Sequence, residues 1–528
     1  MVRPRKESFP AAQRPPEKSP YLKETWKPAW AKEGRQPTFI GSDGPDLAAF
    51  GGKQYLWGNM PALDVLNLKQ NEGLDETRDY SLLFAASGDI RNLVKSLTGL
   101  PSAYTGRCHV TINDREFDIV GRNAILILTA LRFDPEVATP IILHIWYSAF
   151  IPAAVLDLLQ LHILSQVDDV CTKIQSKPLS SLQAKTWTYE NRSLRLVLRK
   201  EQWFRLKTMF SLPEGLSYSK AQKIRRSVTL APERKDYVDR ALYAQPPPWR
   251  VSKMKFREDG IILPFGSSRR EFDTPNPTFY QTMEWPMKDD SDPLRGWCVA
   301  DVLQHSPSAK RDLYGSLFFC VRNLLLEFCR RIRRFAVEIQ MFQVDALELP
   351  NLLRDRSFDR IEVSNITDRG YLGPELTLST FGSLLKPKSD NPKAILLGLF
   401  LNAIFENGQY DTSVVASLKA NGERMAKYLT ITRDMFSRDR EISNPDLLRF
   451  MEASSMFHDY EKPFSHFMEQ CRFREISASA GLRMKEENSI VEPWPMRLAD
   501  GASKEEFDVL YASGQVGCER YVEWERAI

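Results

Sequence analysis

The sequence predicts an α/β fold: a mostly parallel, Rossmann-like sheet interrupted by a large, mainly helical insertion and followed by a helical C-terminal region. Three observations carry this. Residues 81–94, SLLFAASGDIRNLV, run from an apolar strand through one Gly-Asp turn into a helix. A second strand, Cys108 to Ile112, is followed at once by a helical pattern from about Arg115 to Leu131, and such alternation favours parallel pairing with right-handed crossovers. Far downstream, VDALELP (344–350) and FDRIEVSNITD (358–368) read as two more strand ends of the same sheet. Ligands in open α/β sheets sit where strand carboxyl ends converge, so these stretches predict one shared crevice.

At 528 residues the chain exceeds one ordinary core, given a prior of about 150 residues per domain. Hydrophobic residues make up 43% and charged residues 27%, which suits a packed globular protein and argues against wholesale disorder. A net charge of +4 supplies no global attraction to nucleic acid or anionic membrane, so any such contact must be local. The seven cysteines contain no C-x-x-C pair and, with six scattered histidines, no zinc-spaced cluster. They read as reduced thiols, and no metal is expected. The N-terminus lacks a secretory apolar core or a transit-peptide pattern, so the expected compartment is the cytoplasm or the nucleus.

Taken in order, residues 1–40 form a Pro- and Lys-rich flexible arm in which Trp26 and Trp30 serve as anchors on a domain surface. Residues 41–135 hold the first part of the α/β domain, with Asp89 placed to cap the helix after the first strand. Residues 136–334 form the insertion. Its apolar run 141–164 is long enough to cross a membrane, but His144, Asp157, Gln160, His162 and Pro152 interrupt it, and two packed helices fit better. Alternation resumes over 335–410, with strands near 336–344, 361–364 and 394–404. Residues 411–528 are read as helical, and Ser503-x-x-Glu506 forms a capping box for a helix over 504–512.

The candidate ligand-binding residues are Ser87, Gly88, Asp89, Asn113, Asp114, Asp345 and Asn365. One glycine in the first turn falls short of G-x-G-x-x-G, which disfavours a dinucleotide. A carboxylate at a helix N-terminus would repel pyrophosphate but suits a ligand with cationic groups such as S-adenosylmethionine; capping is the other role open to Asp89. Asp114 stands where ribose hydroxyls would be met, and its rival is a structural Asn113/Glu116 capping pair. Asp345, Asn365 and Asp368 fall in loops after strands, which are also ordinary turn positions. No catalytic residue is assigned. The basic stretch 192–257, with Lys223, Arg225, Arg226, Arg234 and Lys235 among Trp203, Phe204 and Tyr218, fits either a solvated helical surface or an RNA contact. P-loop, G-x-S-x-G and H-E-x-x-H patterns are missing, which removes the main support for kinase or hydrolase readings.

YLWGNMPALDVLNL, LLFAASGDIRNLV, TINDREFDIVGRNAILIL and IILHIWYSAFIP resemble a fungal domain-of-unknown-function family. Its members are often coupled to MYND-type zinc fingers, and its domain is similar to the N-terminal part of the dynein axonemal assembly factors. FDRIEVSNITDRGYLG and FDVLYASGQVGCERYVEW also look like that group. The resemblance implies a methyltransferase-like Rossmann fold, no established reaction, and in the dynein branch a role in complex assembly. By position, Ser87, Gly88 and Asp89 match the family's first-strand turn, Asn113 and Asp114 the second-strand end, and Asp345 the acidic position after the third strand. The glycine-rich turn of active methyltransferases is reduced to ASGD, SNITD replaces an Asn-Pro-Pro-Tyr-like motif, and the MYND finger is missing. The expectation is therefore a protein-binding or assembly factor with an eroded cofactor site. An active S-adenosylmethionine-dependent methyltransferase is the alternative, and an RNA-binding protein using the basic insertion is the second alternative.

Overall fold

The computed structural model describes residues 19–40, 50–305, 310–353, 356–406, 414–431, 435 and 443–527, with 414–418 by backbone alone. The first residues of the expected flexible arm, 1–18, lie outside the described set, whereas 19–40 are docked. Trp30 is fully buried beside Phe39 and Leu448, and its indole N–H donates to the Ser443 carbonyl at 2.9 Å.

The strands are β1 (Tyr80–Phe84), β2 (Arg107–Asn113), β3 (Phe150–Ile151), β4 (Leu182–Tyr189), β5 (Arg192–Arg199), β6 (Thr274–Pro275), β7 (Ala336–Phe342), β8 (Arg360–Glu362), β9 (Ile395–Phe400), β10 (Leu482–Met484) and β11 (Arg520–Arg526). Nine of them form one sheet in the order β10-β11-β9-β8-β1-β2-β7-β5-β4, while β3 and β6 pair separately. The block from β9 to β5 is parallel throughout; β11 runs antiparallel to β9 and β10, and β4 antiparallel to β5. The chain steps outward from β1 through β2 to β7, then crosses back to β8 and β9 on the other side of β1. Such a reversal opens a crevice above the strand ends it separates.

Both faces of the sheet are covered, which is why its central strands read as apolar runs. Every residue of β9, ILLGLF, is buried. Tyr80, Leu82 and Phe84 of β1 point into the core built with helices Arg91–Gly99, Phe117–Arg132, Pro135–Tyr147 and Leu313–Arg331. Leu83 points the other way, into a core with Phe381, Phe464, Phe467 and Phe473. Among the described residues, no helix is long and apolar enough to cross a membrane. The run 141–164 falls instead on helix Pro135–Tyr147, the short β3, helix Ala153–Leu159 and a π-helical turn over Gln160–Leu164.

Two regional expectations need correction. The insertion also contributes the β4–β5 hairpin, whose second strand pairs in parallel with β7. Its alternation, SLRLVLR, buries Leu194, Leu196 and Leu198, but the interleaved arginines resemble a polar helix face. The C-terminal region likewise ends in the sheet: the closing RYVEWER is β11, slotted between β9 and β10. The capping box does form as expected, with Ser503 Oγ accepting from the Glu506 N–H and Glu506 accepting from the Ser503 N–H.

Candidate functional site

The loops that leave the carboxyl ends of β1, β2, β7, β8 and β9 surround a cavity of about 1030 Å³. Residues 53–59, KQYLWGN, wall it on another side. Six of the seven candidate residues line it: Ser87, Gly88, Asn113, Asp114, Asp345 and Asn365. The early and late parts of the sequence thus meet in one cleft.

Gly88 adopts a left-handed φ of 54°, and a Cβ built there would meet nothing within 4 Å. Its backbone therefore faces open space in a conformation that glycine adopts at no cost. The Gly88 N–H donates to Asp114 Oδ2 at 2.9 Å, and its carbonyl accepts from Asn123 Nδ2 at 2.7 Å. These bonds fix the turn from both sides.

Asp114 also accepts from the Glu116 N–H through Oδ1, at 2.9 Å, so this carboxylate organises the start of helix Phe117–Arg132. Burial pushes the Asp114 carboxyl up to about 6, while the two backbone donors pull the other way. Each carboxylate oxygen keeps a further lone pair for a ligand. The expected Asn113/Glu116 capping pair does not form. Asn113 is buried, with Nδ2 donating to the Ala85 and Val344 carbonyls and Oδ1 accepting from the Val344 N–H. It ties the ends of β1, β2 and β7 together.

Asp89 is the candidate that does not line the cavity. Its Oδ2 accepts from the Gly58 N–H at 2.7 Å, and its Oδ1 takes both the backbone and the guanidinium of Arg91. Arg91 in turn donates to the Met60 carbonyl. The pair pins the 53–59 wall to the first helix, and Asp89 satisfies the helix start through the Arg91 N–H. Asp345 holds its own loop through the Leu347 N–H at 2.9 Å. Asp368 is fully buried and joins the ends of β8 and β9 by accepting from the Leu401 and Asn402 backbones.

On the far side of the cleft sequence reasoning reached Asn365 and missed the residues around it. Asn402, Leu401 and Tyr371 all line it, and Tyr371 is exposed. Ser364, the turn after β8, has a φ of 53°, and its N–H donates to Glu362 Oε1 at 2.8 Å. A strained non-glycine turn at a strand end is a frequent mark of a functional loop, and it leaves little signal in a single sequence. Behind it, Glu362 is buried and pushed up to about 7 by loss of solvent. Among the described residues no group of acidic, histidine or cysteine side chains has the arrangement to hold a metal ion.

The basic insertion turns part of its charge inward, while Lys223, Arg226 and Lys235 stay exposed. Arg225 is buried and donates to the Arg257 and Phe256 carbonyls. Arg234 pairs with Asp289 and Lys235 with Asp239. Arg226 donates to the Glu258 carbonyl.

Residues 56–151 match a family described as Domain of unknown function (DUF4470). The matched stretch carries the first two parallel strands, the Gly88 turn and the Asp114 loop. No curated protein and no solved structure matches the chain.

Proposed function

We propose that this protein is a methyltransferase-like, Rossmann-type protein that binds S-adenosylmethionine in the cleft above β1 and β2 and transfers its methyl group to an acceptor entering over β8 and β9. The observation that carries the reading is the open cavity at the Gly88 turn, with Asp114 and Asp345 on its rim. Its volume, about 1030 Å³, is at the upper end of ordinary ligand sites, with room for donor and acceptor together. The strand order supports the same reading. Without the β4–β5 hairpin and the β3/β6 pair, the strands lie third-second-first-fourth-fifth-seventh-sixth, with the seventh reversed. The dinucleotide-binding order, 3-2-1-4-5-6, has no such inserted strand, so the sheet departs from a dinucleotide fold while keeping the switch point between its first and fourth strands.

The donor set suits the ligand. The open backbone at Gly88 admits close approach, Asp114 offers acceptors to ribose hydroxyls, and Asp345 stands at the β7 end, where an adenine edge would lie. Three cations line the cleft beside the carboxylates: Arg91 is paired with Asp89, Arg115 with Glu116, and Lys53 is exposed on the 53–59 wall. When bound, such a donor supplies an electrophilic methyl group. The chain's part is to align it with a nucleophile in a sheltered cleft.

Thermal unfolding with S-adenosylmethionine and S-adenosylhomocysteine tests this. A ligand at about one hundred times its Kd stabilises the fold by about 2.7 kcal/mol. Asp114→Asn should weaken binding at least tenfold while keeping an acceptor for the Gly88 N–H. In the wild type, affinity should fall as the pH drops through about 6, where Asp114 takes up a proton, and the variant should lose that dependence. No shift with either ligand sinks the proposal.

A partner-binding role has one observation of its own: an apolar groove of about 390 Å³ between residues 60–63, 297–300 and 495–513. It is separate from the cleft, so assembly and methyl transfer are compatible on this fold. The RNA-binding alternative has less to rest on, because Arg225 and Arg234 are committed to internal partners and leave Lys223, Arg226 and Lys235 as the exposed charges of that stretch.

A further inference from the structure

Helix Lys504–Ala512 carries two apolar stripes, and the fold fully buries only one of them. Phe507 and Tyr511, four residues apart, sit in a core with Phe450 and Met456. Val509 and Leu510, on another side of the same helix, are half-buried and line the apolar groove of about 390 Å³. The rest of its lining includes Met60, Leu63, Val299 and Met496, and Cys298, Ala300 and Ala499 stand exposed in it. A helix that leaves an apolar stripe half-covered offers ridges and grooves into which a second helix packs. The charge beside the groove is acidic. Glu505 and Glu506 are exposed in the first turn, and neither has an ion-pair partner among the described residues; Lys504 is taken by Asp508, and Arg497 by Asp459 at 3.5 Å. The capping box uses one oxygen of Glu506, which also lines the groove, and leaves its charge uncompensated.

We propose that the groove is the docking site for a basic, amphipathic helix of a partner protein, with its apolar side chains in the groove and its lysines or arginines beside Glu505 and Glu506. The inference rests on the partner-binding reading given above. In helix-in-groove contacts a few apolar anchors seated in a concave pocket supply most of the affinity. Opposite charge at the edge sets the orientation and speeds association. Two methionines in the lining, Met60 and Met496, let the walls adapt to side chains of different shape. The same carboxylates that attract a basic helix repel an anionic lipid surface. A second copy of this chain is the other occupant, and the experiment below separates it.

Two fluorescein-labelled peptides of about 18 residues serve as probes, both with leucine at i, i+3, i+4 and i+7 spacing, one with lysine and the other with glutamate at the polar positions. Fluorescence polarisation with the full chain should give the lysine peptide at least tenfold tighter binding. Glu505→Lys/Glu506→Gln, which keeps a capping-box side chain, should bring the two Kd values to within about threefold of each other. Ala300→Trp/Ala499→Trp, at two exposed positions, fills the groove and should weaken the lysine peptide at least tenfold. Because Cys298 is exposed in the groove, the bound lysine peptide should also slow its alkylation by N-ethylmaleimide at least fivefold, a readout that needs no variant. Equal affinity of the two peptides overturns the inference, and so does tight binding that neither the tryptophans nor Cys298 alkylation registers. Sedimentation of the chain as a dimer that the tryptophans dissociate gives the groove to a second copy and overturns it as well. If neither peptide binds, the groove is no helix-docking site and the partner-binding reading loses its one observation.

Discussion

Asn113 illustrates how a residue at the right place can have a different task from the one its position suggests. It borders the cleft, yet all its side-chain bonding groups are spent on Ala85 and Val344, and it splices three strand ends. Its neighbour Asp114 holds the turn before the helix through the Glu116 N–H and still faces the cavity. The sequence located both residues correctly because a polar pair ending an apolar strand is a local pattern. It could not divide the roles, because the partners of Asn113 lie 28 and 231 positions away. Glu362 was invisible for a related reason: a carboxylate inside a three-residue strand betrays its burial only when both neighbouring strands are in place. Its raised proton affinity has a measurable consequence. A carboxyl whose folded pKa, about 7, exceeds the reference value of 4.5 gives its full stabilisation below about 4.5 and loses it as the pH rises through 7. Glu362→Gln removes this titration while keeping an oxygen for the Ser364 N–H. Its stability relative to wild type should therefore improve between pH 5 and pH 8, by up to about 3 kcal/mol, in urea melts at the two pH values. A pH-independent difference would show that Glu362 is not protonated in the folded state.

At the scale of elements, the strands and helices nearest the cleft were legible because each combines an apolar run with a local stop signal. The strand before Gly88 and the capping box at Ser503 needed nothing distant. The β4–β5 hairpin was not legible. Its turn, Glu190-Asn191, has a φ of 54° at Glu190 without the glycine that usually marks such a site. β11 escaped for a different reason: its seven residues are fixed by pairing with β9 and β10, both well removed in sequence. The docked arm depended on aromatic anchors that could be read directly. Trp30 joins helix Lys235–Tyr243 to helix Pro445–Ser454 through Tyr237 and Leu448, while Arg35 makes a two-pronged contact with Asp236. Trp30→Ala should cost about 3–5 kcal/mol locally. Limited trypsin digestion should then cut at Lys23, Lys32 and Arg35 well before the rest of the chain, and a variant as resistant as wild type would show that the arm is held elsewhere.

At the scale of the whole molecule, a sheet shared by residues 80 and 526 joins distant segments around one cleft. The buried Arg360 makes the same connection in miniature: it forms two bonds to Glu72 and others to the carbonyls of Val65, Leu66 and Lys393, tying the approach to β1 to the β8–β9 connection. β7 lies between β2 and β5, two strands that are both synthesised before it. Contacts of such long sequence separation form late. Pulse-labelled hydrogen exchange during refolding should show the amides of helix Leu313–Arg331 protected before those of β7. Simultaneous protection of the two would indicate that the sheet closes in one step.

The central position of β7 also bears on the protein's birth at the ribosome. After β2 emerges, more than two hundred residues must be made before β7 arrives, which at 5–20 residues per second takes about 10–45 s. During that interval the nascent polypeptide carries two incomplete sheet fragments, each with a bare edge waiting for the same strand. Those edges are open to pairing with neighbouring chains, so the yield of active protein in a cell should depend on holdase chaperones that shield them until the missing piece leaves the exit tunnel.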